Sequence, residues 1–387
     1  MEIILTANSP GEVGAWVRAT VAEIKEIHPQ ARITVALVPC PFATGTEARV
    51  AEALPGVDRV LTPWHTMLGI LGLRALPSFR RPAVVGYLGG ELLHALGLGW
   101  RLGLPTVGYL VKPSFWGRYF NRVGLARAQD QPAAGSQALF CGDLRVDGVL
   151  RNLPARPGAE AGPVLGLFPG SRAIHLRATL GVYLRAAEMI AERVPGLRVV
   201  LALSPFVDRS GVEAAMQRPL LPLPVSGGTF TDEGLITQGG LSIEVLWGKP
   251  YEAIGKLDLA LCIPGTNTAE LACASKPFLV TLHPLAQVGG GGLFGLLDRL
   301  PLGPIKPYLR LRKQRRLRFT AYPNYLANEM IAPEVMVADD LSNLCDQAVE
   351  LLADQPLRKR IGARLQEAMG PPGAARALAE LMVETVA

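Results

Sequence analysis

Val164-Leu165-Gly166-Leu167-Phe168-Pro169-Gly170-Ser171-Arg172 is the stretch on which the fold turns. Residues 164–168 are apolar and read as a strand, 169–172 as a tight turn, and the residues up to about 193 as one long helix. Such a junction leaves free backbone N–H groups and one arginine at the carboxyl end of the strand. A helix N-terminus carries roughly half a positive charge, so the turn is a good cradle for an anion. Taken alone, the stretch reads better as an ordinary strand-to-helix turn with Arg172 in solvent.

The same pattern recurs on both sides of it. Strands are predicted at 2–6, 32–38, 83–87 and 106–111, and helices at 14–27 and 44–54. Further strands follow at 198–203, 257–263 and 278–282. Alternation at this spacing implies βαβ units, parallel sheets and helices on both faces. Residues 153–163, Leu-Pro-Ala-Arg-Pro-Gly-Ala-Glu-Ala-Gly-Pro, have the composition of a linker. The expected fold class is therefore α/β, with two Rossmann-like domains at 1–157 and 158–365. Residues 366–387 are expected to form a C-terminal helix that packs back on the first domain. In open α/β sheets ligands bind beyond the carboxyl ends of the strands, which puts the expected site in a central cleft faced by both domains.

Composition narrows the class. A chain of 387 residues, 49% hydrophobic and 19% charged, is too long for one ordinary core and too apolar to be disordered. The opening Met-Glu-Ile-Ile-Leu-Thr-Ala runs straight into a strand pattern without the basic head of a signal peptide. The longest apolar candidate for a membrane span, 67–76, is short and broken by Arg74. A cytoplasmic protein is expected, soluble or peripheral on the membrane surface. Cys40, Cys141, Cys262, Cys273 and Cys345 are scattered, as are the five histidines, so neither disulfides nor a zinc site is expected. The net charge of +6 is concentrated in Arg310, Arg312, Lys313, Arg315, Arg316 and Arg318, beside the apolar, glycine-rich stretch 285–311. Charge runs are usually solvated faces. An anionic lipid surface is the functional alternative, with Arg312, Lys313, Arg315 and Arg316 as contacts. No nucleic-acid motif accompanies the run, so no nucleic-acid partner is expected. The absence of Gly-x-Gly-x-x-Gly after the first strand speaks against a Rossmann dehydrogenase.

Two later segments add chemistry. Cys262-Ile263-Pro264-Gly265-Thr266-Asn267-Thr268-Ala269-Glu270 is again a strand end, a glycine turn and a helix start. Thr266 and Thr268 offer hydroxyls, and Glu270 is a carboxylate able to accept two hydrogen bonds from a ribose diol. Thr266 or Asn267 is equally readable as a plain helix N-cap. Tyr322-Pro323-Asn324-Tyr325 reads by itself as a turn before a helix.

Pro169-Gly170-Ser171-Arg172, then Gly265-Thr266-Asn267-Thr268-Ala269-Glu270, then Pro323-Asn324 together resemble, in order, the lipid-A-disaccharide synthase family. Tyr109-Leu110-Val111-Lys112-Pro113-Ser114-Phe115-Trp116 is similar to that family's Tyr-Val-Ser-Pro-Ser-Val-Trp stretch. Gly11, Glu12 and Gly14 sit where the family has Gly-Glu-x-Ser-Gly-Asp. The resemblance implies a GT-B fold, an acceptor-binding first domain and a nucleotide-sugar-binding second domain. It implies a UDP-linked acylated glucosamine donor, an acylated or lipid-linked sugar acceptor, inversion at the anomeric carbon and release of UDP. Gly170, Ser171 and Arg172 are then expected at the diphosphate, Gly265, Thr266, Asn267, Thr268 and Glu270 around the nucleoside, and Asn324 in the donor site. Arg172 and helix N-termini can stabilise departing UDP, and no Asp-x-Asp pair is present, so no metal or other cofactor is expected.

Departures cluster on the acceptor side. The family's Asp-x-Pro-Asp-Phe-Asn loop corresponds to Leu88-Gly89-Gly90-Glu91-Leu92-Leu93, which keeps one carboxylate. Glu91, set between Leu88 and Leu92, is the expected base, with His94 next in line; a simple acid at a helix start is the plain alternative. Ser-Gly-Asp has become Gly14-Ala15-Trp16, and His175 stands where the family often has an acid. The apolar stretch 64–79 reads as core helix packing, with a wall for acyl chains as the alternative. Two other functions remain open at this stage. One is a nucleotide-sugar 2-epimerase of the same fold; the other is a non-catalytic nucleotide-sugar or lipid-binding protein.

Overall fold

A computed structural model describes residues 1–9, 12–40, 45, 47–154, 162–205, 207–220, 222–283, 318–337 and 339–386. The chain divides into two compact units, Met1–Asn152 with Gly370–Ala387, and Leu153–Met369.

In the first unit β1 (Glu2–Ala7), β2 (Arg32–Leu37), β3 (Arg59–Leu61), β4 (Ala83–Tyr87), β5 (Thr106–Leu110), β6 (Arg122–Leu125) and β7 (Ala138–Phe140) form one parallel sheet in the order β3-β2-β1-β4-β5-β6-β7. All of β1 is buried, as a central parallel strand must be when helices cover both faces. Its one charge, Glu2, is satisfied by the Thr34 hydroxyl at 2.6 Å and Arg80 N–H at 2.7 Å. The helices are α1 (Arg18–Ile27), α2 (Glu47–Glu52), α3 (Pro63–Ile70), α4 (Leu92–Leu102), α5 (Gln131–Ala134) and α6 (Leu144–Asn152). The chain steps outward from β1 to β3, then returns to lay β4 on the other side of β1. That reversal leaves a crevice at the carboxyl ends of β1 and β4.

The second unit repeats the device. Its strands are β8 (Val164–Phe168), β9 (Arg198–Leu203), β10 (Gly228–Phe230), β11 (Leu235–Thr237), β12 (Ser242–Trp247), β13 (Leu259–Cys262), β14 (Phe278–Leu282) and β15 (Glu334–Met336). They run in the order β10-β11-β12-β9-β8-β13-β14-β15, with the β10–β11–β12 ribbon antiparallel and the rest parallel. Here the order reverses between β8 and β13, which pair in parallel from Leu165↔Leu259 to Phe168↔Cys262. Helices α7 (Ala173–Ala191), α8 (Arg209–Gln217), α9 (Pro250–Lys256) and α10 (Thr266–Cys273) follow these strands, and later helices span Tyr322–Ala327, Ser342–Ala353 and Gln355–Met369.

The final helix, Ala374–Glu384, belongs to the first unit and packs against α1. Asp147 of α6 accepts hydrogen bonds from Gly373 N–H (2.7 Å) and Ala375 N–H (2.8 Å), supplying acceptors to donors that a helix start cannot satisfy internally. Leu378 and Met382 are buried against Gly124 of β6 and Gly86 of β4, where any larger side chain would collide with them.

Several boundaries differ from the expectation. The helix expected at 14–27 opens at Glu12 as a wide π-type coil, Glu12–Val17, before tightening into α1. The strand expected at 257–263 is shorter, because Leu257 is still the cap of α9 and the Asp258 carboxylate accepts from Val164 N–H. Tyr322–Ala327 is itself a helix and not a turn before one. In the stretch 64–79, Trp64, Leu71 and Leu73 are exposed and do not enter the core. Residues 155–161 of the linker and 285–311 of the glycine-rich stretch lie outside the described residues.

Candidate functional site

Two groups of residues stand at the two points where strand order reverses, one in each unit. In the second unit the β8 and β13 ends lie side by side, which brings Gly170-Ser171-Arg172 next to Ile263-Pro264-Gly265-Thr266. Gly170 has φ 97°, a conformation that favours glycine, and a Cβ there would press on Ile263 Cδ1 (2.7 Å) and His175 Cβ (2.9 Å). Ser171 and Arg172 are exposed, and Arg172 is the N-cap residue of α7. The Thr179 hydroxyl bonds Pro169 O at 2.9 Å and ties the turn to the helix. His175, in the first turn, has its pKa lowered by burial and by the neighbouring Arg172 charge, which favours the neutral imidazole.

At the β13 junction Gly265 is the N-cap of α10, so neither Thr266 nor Asn267 caps it as expected. Gly265 and Thr266 are exposed, and Asn267 and Glu270 are half-buried. Thr268 is fully buried: its hydroxyl donates to Gly265 O at 2.8 Å and accepts from Tyr322 N–H at 3.1 Å. It holds the turn and offers nothing to a ligand.

Asn324 corrects the expectation more sharply. It is fully buried, and its oxygen accepts from Ile331 N–H (3.0 Å) and Ala332 N–H (2.9 Å). Its amide nitrogen donates to Ala332 O (2.7 Å) and Glu334 Oε1 (3.0 Å), which completes its hydrogen-bonding capacity. Asn324 therefore braces the segment leading to β15 from inside and does not reach a donor sugar.

In the first unit the β4–α4 loop and the start of the Glu12–Val17 coil converge at the carboxyl ends of β1 and β4. Glu12 Oε2 accepts from Asn8 N–H (3.1 Å) and Ser9 N–H (3.2 Å). Gly89 lies so close that a side chain there would occupy the space of the Glu12 carboxylate. Gly90, at φ 88°, turns the loop, and the Tyr87 hydroxyl donates to its carbonyl at 2.7 Å. Burial raises the pKa of Glu12 despite the lowering effect of those N–H donors. Burial, with the charges of Glu12 and Glu91, also raises Tyr87, which stays a neutral phenol. Glu91 is exposed at the N-cap of α4 and makes no capping hydrogen bond, so Leu88 and Leu92 do not enclose it as expected. His94 Nδ1 is buried without a hydrogen-bond partner among the described residues; burial lowers the His94 pKa, against an opposing pull from Glu91.

Glu12, Glu91 and His94 are thus gathered around one loop. Gly14 lies half-buried on the same coil with open space beside it. Gly11, Arg312, Lys313, Arg315 and Arg316 lie outside the described residues. The contact of Glu12 with Gly89 joins two loops far apart in sequence, and no local pattern predicts it. Its only trace in the sequence is a pair of glycines opposite a first-loop carboxylate.

No family model matches the chain. It is 26% identical over 357 residues to the lipid-A-disaccharide synthase of Anaeromyxobacter sp. (strain K), covering 86% of this chain and 81% of that protein. A lipid-A-disaccharide synthase of Pseudomonas putida is 27% identical over 261 residues, 62% of this chain and 58% of that protein. Among solved structures, MurG of Acinetobacter baumannii superposes with a TM-score of 0.53 at 13% identity, over 99% of this chain and 100% of that one. The UDP-GlcNAc 2-epimerase of Neisseria meningitidis, bound to UDP-GlcNAc, gives 0.60 at 11% identity over 100% and 99%. The fold is GT-B, and the sequence resemblance is to proteins named lipid-A-disaccharide synthase.

Proposed function

We propose that this chain is an inverting glycosyltransferase that moves an acylated N-acetylglucosamine-type sugar from UDP to an acylated or lipid-linked sugar acceptor. The observation that carries this reading is the pairing of the two exposed turns, Gly170–Arg172 and Gly265–Thr266, at the β8/β13 reversal. It sits in a chain whose curated relatives are named as such synthases over most of its length. UDP gains negative charge as the sugar leaves. Arg172 and the N-termini of α7 and α10 are fixed positive dipoles and charge where that develops, and they do so without a divalent cation. Glu270, half-buried one turn into α10, is the residue for the ribose diol.

Calorimetry with UDP in the presence of a chelator tests the donor site, and loss of binding in the chelator contradicts a metal-free cradle. Mass spectrometry of products from an acylated UDP-glucosamine and a lipid monosaccharide acceptor tests the transfer. Epimerisation of UDP-GlcNAc alone, without acceptor, would instead support the 2-epimerase alternative.

The acceptor is membrane-borne in this reading, and the basic run 310–318 is its electrostatic contact with anionic lipid. Exposed Trp64, Leu71 and Leu73, beside Arg74, support a surface that meets lipid. Flotation with anionic vesicles should fall with salt and with Gln at Arg312, Lys313, Arg315 and Arg316, while equal binding to neutral vesicles contradicts the electrostatic account.

A further inference from the structure

We propose that Glu12, rather than Glu91, is the base that accepts the proton of the attacking hydroxyl; this rests on the transfer proposed above. The site holds two carboxylates in unlike surroundings, and that inequality assigns them. Glu91 is exposed and solvated at the mouth of the loop. Glu12 is half-buried at the β1/β4 reversal, with Oε2 held by two backbone N–H groups. The Ser9 side chain also hydrogen-bonds the carboxylate, but both backbone N–H bonds fall on Oε2, so Oε1 is the less engaged oxygen and the one we assign to the substrate proton. The bare backbone of Gly89 packs directly against the carboxylate, on the Oε2 side, and any side chain there would push Glu12 out of its place.

Burial, which raises Glu12, suits a base that must take a proton near neutrality. The titratable group acting on it from the β4–α4 side is Tyr87, which in turn feels Glu91. Charges on the packed helices are engaged elsewhere. Glu47 of α2 accepts from Gly45 N–H, Asp147 of α6 holds the final helix, Asp143 pairs with Arg145, Arg18 bonds Asn152, and Glu23 of α1 pairs with Arg151.

In the step, the acceptor O–H bond breaks and its proton passes to Glu12 Oε1. The oxygen's electron pair forms the new bond to the anomeric carbon from the face opposite UDP. The anomeric carbon–oxygen bond to the β-phosphate breaks, and its pair leaves with UDP. Water then takes the proton from Glu12.

The test compares Glu12→Gln, Glu91→Gln and His94→Ala by UDP release from UDP-2,3-diacylglucosamine with 2,3-diacylglucosamine 1-phosphate as acceptor. Glu12→Gln should lower kcat on the order of 100-fold or more with UDP affinity by calorimetry unchanged, and the other two should lose less than about tenfold. Wild-type kcat/KM should fall on the acid side with a midpoint above the ordinary carboxylate value of about 4.3, and that limb should vanish in Glu12→Gln. Near-normal turnover of Glu12→Gln, or an equal loss in Glu91→Gln or His94→Ala, overturns the assignment. Should Glu12→Gln not fold, Glu12→Asp decides: an acid limb that moves supports the role, and an unmoved one overturns it. No UDP release by the wild type overturns the transfer and the role together, whereas release by an insensitive Glu12→Gln overturns the role alone.

Discussion

The two reversal points use one architecture for opposite electrostatics. At β8/β13 the strand ends present arginine, backbone N–H groups and the positive ends of α7 and α10; at β1/β4 they present two carboxylates, a phenol and an imidazole. The first suits an anion that is held, and the second suits a proton that is moved. The likeness to the lipid-A-disaccharide synthases is also divided: motif residues persist at the first point, while the loop that carries the family's acid has changed at the second. The fold dictates where ligands meet the sheet, and the side chains at each crevice decide which charge it favours.

The comparison breaks most visibly at Asn324, a motif residue that proves to be internal. Asn324→Ala removes four buried hydrogen bonds and strands two N–H groups, which should cost on the order of 3–5 kcal/mol and lower the melting temperature by roughly 10 °C. Thermal denaturation checks it; weakened UDP binding at an unchanged melting point would return Asn324 to the donor site. Gly89→Ala probes the other crevice. The new methyl must displace the Glu12 carboxylate, so turnover should fall about 100-fold while UDP affinity is kept. Arg172→Ala should do the converse, weakening UDP by about 1.5–3 kcal/mol in calorimetry while the folded state melts as before.

The smallest effect is one of sign. Glu12 is raised in the folded state, so its contribution to stability is fully present below its unfolded pKa and lost as pH rises through the folded value. Glu12→Gln should therefore gain stability relative to wild type as pH rises above the ordinary carboxylate value of about 4.3, in melts across a pH series. His94 and His175 are lowered, so they act oppositely: the unfolded chain binds more protons, and stability is lost as pH falls below the usual histidine value. A Glu12→Gln difference that is flat with pH would remove the distinction between the two carboxylates.

Much of the fold was legible because parallel strands with both faces covered are marked by their apolar runs. Ala83–Tyr87, Val164–Phe168, Arg198–Leu203 and Phe278–Leu282 coincide with the predicted strands for that reason. The strands β3, β7, β10, β11 and β15 escaped because three residues carry no period, and pairing with a neighbour, not local sequence, makes them strands. At the site, glycine turns were readable from spacing. Which of Glu12 and Glu91 is buried depends on a contact between loops about 80 residues apart, and no local pattern encodes it. The buried Thr268 and Asn324 show the converse: a polar residue in a motif can be there to hold backbone that the ligand touches.

The return of Ala374–Glu384 to the first unit has a consequence for the order in which the molecule can be made. Leu378 and Met382 fill space left by Gly124 and Gly86, so the sheet that emerges first from the ribosome lacks a piece of its core until residues near 384 have been synthesised. The second unit, by contrast, has its whole segment in hand once Met369 is out. The unit whose strands are made before those of the other is therefore the one whose core is completed after it, and a fragment ending at Asn152 leaves apolar surface facing water.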